Sequence, residues 1–181
     1  MISSFLVIVV SCSSSKSLKT YKIQIQECIE EKVISRGDQF GYVYYSKEQG
    51  GLIRVLQEFE EALLKQGKLE EGSEKGYRKL INNLPLVAFD SILQRQKLNA
   101  ISENDGLFNA EYTDTCPASV LTEEILDKKV IAYKLQLEKL TAKGGVPDKK
   151  YLEEFIHFID FDVHSDRLFF TYLIFLHLKY S

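Results

Sequence analysis

Residues 51–65, GLIRVLQEFEEALLK, carry the pattern that decides the fold. Leu52, Val55, Leu56, Phe59, Leu63 and Leu64 recur at i, i+3, i+4 and i+7, while Arg54, Glu58, Glu61 and Lys65 lie off that stripe. This is the period of a helix with one apolar face. Gly67 is placed to end it, since glycine takes the left-handed conformation of a helix stop without a steric penalty. Downstream, Ser73 can cap a second helix whose inner face is Tyr77, Leu80, Ile81 and Leu84, and Pro85 forces its end. The short link between the two predicts an antiparallel helical hairpin.

Working outward, Phe89, Ile92 and Leu93 predict a further helix over 85–98. Residues 99–117 read as a loop turned by Asn104, Asp105, Gly106 and Pro117. From 120 to 141 two periods compete. Val130, Tyr133, Leu137 and Leu140 fit a helix, whereas Ile131, Tyr133, Leu135 and Leu137 alternate as in a strand; length and the Gly144–Gly145 stop decide for helix. Pro147 and Asp148 open a helix carrying Tyr151, Leu152, Phe155, Ile156 and Ile159. Residues 168–178 are apolar except for Thr171 and His177. They are too few to cross a bilayer as a helix and predict a fully buried C-terminal segment. Towards the N-terminus, Tyr21, Ile23 and Ile25 alternate, but Ile25, Cys28, Ile29 and Val33 form a helical face, ended near Gly37. The aromatic run 40–45 (Phe40, Tyr42, Tyr44, Tyr45) favours β structure. The fold class is therefore mainly α, a single helical domain over 21–181 with room for a minor β element.

Composition narrows the functional classes. With 45% hydrophobic and 12% aromatic residues, the chain can bury a core, so wholesale disorder is excluded. A formal charge of −3 argues against nucleic acid, whose phosphates demand a basic face, and against electrostatic attachment to anionic lipid.

The first residues are of another kind. Residues 2–10 are apolar apart from Ser3 and Ser4, and Val9, Val10 and Ser11 lead into Cys12, followed by Ser13, Ser14, Ser15, Lys16 and Ser17. This order resembles the lipobox of bacterial lipoproteins: two aliphatic residues, a small one, then the cysteine that is diacylated and becomes the mature N-terminus. No Lys or Arg precedes Cys12, so the terminal amine alone supplies the positive n-region. The resemblance implies a signal peptide over 1–11 and a lipidated cysteine with a serine-rich tether over 12–20. It also implies attachment to a membrane of the cell envelope, with an envelope protein as the expected partner. Ser13 does not mark inner-membrane retention as an Asp there would under enterobacterial sorting.

Cys28 and Cys116 remain. In an oxidising compartment they can pair, yet the sequence alone leaves open whether they do so or stay as separate buried thiols. Among candidate sites, Asp160, Asp162, His164 and Asp166 alternate, which on an extended segment would turn four metal-ligating groups to one side. The spacing is not that of a calcium-binding EF-hand loop, because Ser165 stands where Gly is needed and Thr171 where a bidentate Glu is needed. A competing reading makes Asp162 or Ser165 the cap of a helix beginning near Ser165, with Asp166 at its positive end. Glu154 and His157 form an E-x-x-H pair without the second pair that a di-iron bundle requires, which predicts His157 beside Glu153 or Glu154. Residues 72–76, Gly-Ser-Glu-Lys-Gly, miss the frame of a nucleophile elbow, and no phosphate-loop glycine pattern or other cofactor motif is present. A non-catalytic envelope lipoprotein is the expectation, with a periplasmic hydrolase or metal-dependent enzyme, or a cytosolic helical protein, as the alternatives.

Overall fold

The computed structural model describes residues 17–40, 51–84, 116–120 and 127–180. They form α1 (Leu18–Phe40), α2 (Gly51–Lys65), α3 (Glu74–Asn83), α4 (Cys116–Val120), α5 (Lys128–Ala142), α6 (Lys149–Phe155) with a 3₁₀ turn (Ile156–Phe158), and α7 (His164–Tyr180). The fold is mainly α, and the described residues contain no strand. The predicted helix over 85–98 lies outside them, as do 41–45 and the N-terminal segment. Several boundaries differ from the sequence reading, among them the end of α6, which leaves Ile156 in the 3₁₀ turn and Ile159 beyond it. Helix α1 starts at Leu18, inside the 12–20 span expected as a tether, and it continues through Gly37 to Phe40. Cys116 and Pro117 belong to a short helix rather than to the end of a loop.

Helix α2 behaves as its stripe requires. Leu56, Phe59 and Leu63 are buried, although Leu64, at the edge of the face, is 37% exposed. Its end is a Schellman motif: Gly67 has φ +65°, Gly67 N–H donates to Leu64 O at 3.0 Å and Lys68 N–H to Leu63 O at 2.9 Å. The same motif closes α5 at Gly144, φ +72°, with Gly145 N–H donating to Leu140 O at 2.9 Å. Ser73 caps α3 by accepting from Gly76 N–H at 3.2 Å. Asp127 caps α5 by accepting from Lys129 N–H, and Asp148 caps α6 by accepting from Tyr151 N–H, each at 2.7 Å.

In α5 the helical period wins over the alternating one. Val130, Tyr133, Leu137 and Leu140 are buried, while Ile131 is 45% and Leu135 51% exposed. The core is centred on α7, whose residues 168–178 are buried on every side except at His177. A helix apolar all round must be enclosed by neighbours. Helix α7 lies along α2 and meets α6; α1 packs on α2, α4 and α5; and α3 packs on α6. Edge-on aromatic pairs fill the seams, such as Phe59 with Phe175 at 5.4 Å and Tyr77 with Phe170 at 5.5 Å between centroids. No described helix is long and apolar enough to cross a membrane.

A disulfide joins Cys28 on α1 to Cys116 on α4, with Cα atoms 5.8 Å apart and a sequence separation of 88. It fastens the short α4, which is too brief to hold its place by its own hydrogen bonds, to the longest described helix.

Candidate functional site

A cleft of about 960 Å³ opens where the N-terminal end of α1, the start of α3, the start of α5 and the 157–167 segment converge. Its floor is ionic. Lys22 and Asp166 are only 7% and 4% exposed, and the Lys22 ammonium donates to Asp166 Oδ2 and to the Phe158 carbonyl. The same ammonium sits 5.6 Å from the centre of the Tyr133 ring, whose negative face attracts a cation. Asp166 is further satisfied by Gln26 Nε2, donating to Oδ1 at 3.2 Å, and by Asp160 N–H, donating to Oδ2 at 3.1 Å. A buried ion pair persists only with such additional hydrogen bonds, because both ions have lost water.

The next residue, about 100° further round α7, builds a second network towards α2. Arg167 Nε donates to Glu60 Oε1 at 2.8 Å, and Glu60, on α2, is 5% exposed. The Tyr77 hydroxyl donates to the same Glu60 oxygen at 2.7 Å and is hydrogen-bonded to the Thr171 hydroxyl. Burial, and then the Glu60 charge, push the Tyr77 phenol far above its usual range. Arg167 reaches these partners by passing over Gly72, where a Cβ would lie 3.2 Å from Nε.

The alternating residues singled out in the sequence do not converge. Asp166 is committed to Lys22. The Asp160 carboxylate accepts from Asp162 N–H at 3.2 Å. His164 lies at the other end of the turn, its Nε2 2.5 Å from Gln57 Nε2 and its Nδ1 2.8 Å from an Arg167 nitrogen. No group of three or more His, Cys, Asp or Glu side chains among the described residues could hold a metal ion. The reason is local: α7 begins at His164, so 160 and 162 sit on a turn and 164 and 166 on a helix, where alternate residues diverge. Neither Asp162 nor Ser165 caps that helix; the Val163 carbonyl accepts its first bond, from Arg167 N–H at 3.1 Å.

His157 is placed differently as well. The helix α6 ends at Phe155 and His157 falls in the 3₁₀ turn, which breaks the helical register with Glu153 and Glu154. Those acids meet Lys149 at 3.7 Å and Lys139 at 3.8 Å instead. His157 Nδ1 lies 3.3 Å from an Arg78 nitrogen, and Arg78 is held by Glu74 at 2.6 Å.

Chemically, the charges on the floor are engaged with one another, whereas Lys19, Lys129 and Asp162 on the rim are exposed. The residues that sequence reasoning missed are Lys22, Glu60, Tyr77's hydroxyl and Arg167. Their one signal was a charged residue inside or beside an apolar stripe, as with Glu60 next to Phe59. Neither a protein-family model, nor a curated protein, nor a solved structure matches this chain.

Proposed function

We propose that this protein is a lipoprotein of the bacterial cell envelope, anchored to a membrane through Cys12 and serving a non-catalytic binding or structural role, with an envelope protein as partner. The observation that carries the proposal is the distribution of the chain's three cysteines. Cys28 and Cys116 form a disulfide, a bond that persists in exported proteins and is rare in the cytosol. Cys12 stands outside that pair, directly after an apolar run and a small residue, where lipid attachment requires it. The cytosolic alternative is disfavoured by the same disulfide. A non-catalytic role is supported by the cleft floor, where Lys22 is paired with Asp166 and Arg167 with the buried Glu60 behind it, which engages these charges structurally and leaves none of them poised for proton transfer.

Labelled fatty acid supplied to cells expressing the full chain tests the anchor. Incorporation should be lost in Cys12→Ser, and that variant should leave the membrane fraction. Undiminished labelling in Cys12→Ser would defeat the proposal.

A further inference from the structure

We propose that the cleft binds a zwitterionic phosphoethanolamine-type headgroup at the membrane surface; its placement there rests on lipid attachment at Cys12. Position comes first. Ser17 and Leu18 form part of the cleft wall, and the five residue steps from Cys12 to Ser17 span at most about 18 Å when extended. An anchor at Cys12 therefore holds the cleft beside the headgroup layer, which adds several ångströms outside the hydrocarbon.

Charge comes second. The exposed charged groups of the lining are of both signs and lie on different elements: Lys19 on α1 and Lys129 on α5, against Glu74 on α3, itself held by Arg78, and Asp160 and Asp162 before α7. A phosphodiester suits the two ammonium groups as point-charge donors, and the headgroup's own ammonium suits the carboxylates of Asp160 and Asp162. The floor cannot compete for either end, because Lys22 and Asp166 are already paired. A net charge of −3 sets the molecule against an anionic surface but is indifferent to a headgroup without net charge. Third, Ile23, which is 40% exposed, lies in the lining with Leu18, Phe158 and Phe161. This gives the glycerol and first methylenes an apolar wall. A volume of about 960 Å³ accommodates a headgroup with its glycerol, at the upper end of small-molecule sites.

The experiment is a calorimetric titration of the full chain carrying Cys12→Ser with glycerophosphoethanolamine. Saturable binding is expected. It should weaken about tenfold or more in Lys19→Gln with Lys129→Gln, the loss of charge-assisted contacts, and also in Asp162→Asn. Lys150→Gln, outside the cleft, should leave it unchanged. Vesicles of phosphatidylcholine with phosphatidylethanolamine should recruit the same chain better than phosphatidylcholine alone. Equal binding of inorganic phosphate would make this a bare anion site and overturn the assignment. So would binding of a dipeptide in place of glycerophosphoethanolamine, or equal affinity in the rim variants. Fatty-acid labelling of the native chain separates the two claims. Headgroup binding without labelling upholds the cleft and overturns the anchor, and labelling without headgroup binding does the reverse.

Discussion

Lys22 on α1 and Asp166 on α7 form an almost fully buried ion pair across a sequence separation of 144. The pair ties the first described helix to the central one, and the Phe158 carbonyl, Gln26 and the Asp160 N–H complete its hydrogen bonds.

Removing one partner should therefore be far worse than removing both. Asp166→Ala leaves a buried ammonium and is expected to cost about 3–5 kcal/mol, whereas Lys22→Met with Asp166→Leu should recover much of that loss. Urea denaturation of the two singles and the double measures the difference. Additive losses in the double variant would mean that the pair is not buried as a unit.

The Cys28–Cys116 bridge closes a loop of 88 residues in sequence separation, which in the chain-entropy model stabilises by about 4–5 kcal/mol. Replacing both cysteines with Ala, or adding reductant, should lower stability by an amount of that order. Reductant should then have no further effect on the doubly substituted chain.

Two glycines should respond differently to alanine. A Cβ on Gly76 would lie 2.1 Å from the Glu71 carbonyl oxygen, a backbone atom that cannot step aside, so Gly76→Ala is expected to cost about 3 kcal/mol or more. At Gly67 a Cβ meets nothing within 4 Å and only the positive φ is strained, so Gly67→Ala should cost about 1–2 kcal/mol. Thermal unfolding of the two variants ranks them.

Stability should fall at both ends of the pH scale for separable reasons. Burial, and then the Glu138 charge, raise the Tyr21 phenol to about 12; burial raises Tyr77 and Tyr151 further. A phenol whose folded pKa exceeds its unfolded value of about 10 stabilises the fold below pH 10. That contribution is lost as pH climbs from 10 towards the folded value. At the acid end, the hydrogen bonds from Lys143 and the Tyr151 N–H hold Asp148 below its usual range. Its contribution is present above about pH 4 and fades as pH falls through the folded value. Denaturation midpoints across pH check both. Tyr151→Phe should flatten the alkaline limb, and Asp148→Asn, which still caps the helix, should flatten the acid one.

Most of the candidate site was illegible in the sequence, and particular residues show why. Asp160, Asp162, His164 and Asp166 invited a common-face reading because alternation implies extended backbone, but a turn and a helix start at His164 divide them. Conversely, Arg167 and Glu60 gave no joint signal, although they meet at 2.8 Å. Exposed Lys19 and Lys129 look like any solvated lysine until the folded chain brings α1 and α5 to one cleft.

The sequence by itself determined the stripes in α2, α3 and α5, the start of α6, the Gly67 and Gly144 stops, and the Ser73 and Asp148 caps. These rest on interactions within about four residues, which the local period reports directly. It also marked 168–178 as a segment that must be enclosed, because no face of it tolerates water. Only the tertiary structure decided that Lys22 belongs with Asp166, Arg167 with Glu60 and Cys28 with Cys116. Those partners depend on which helix faces come together and at what register. That choice is made by the packing of the whole core and leaves no trace in the spacing of any one segment.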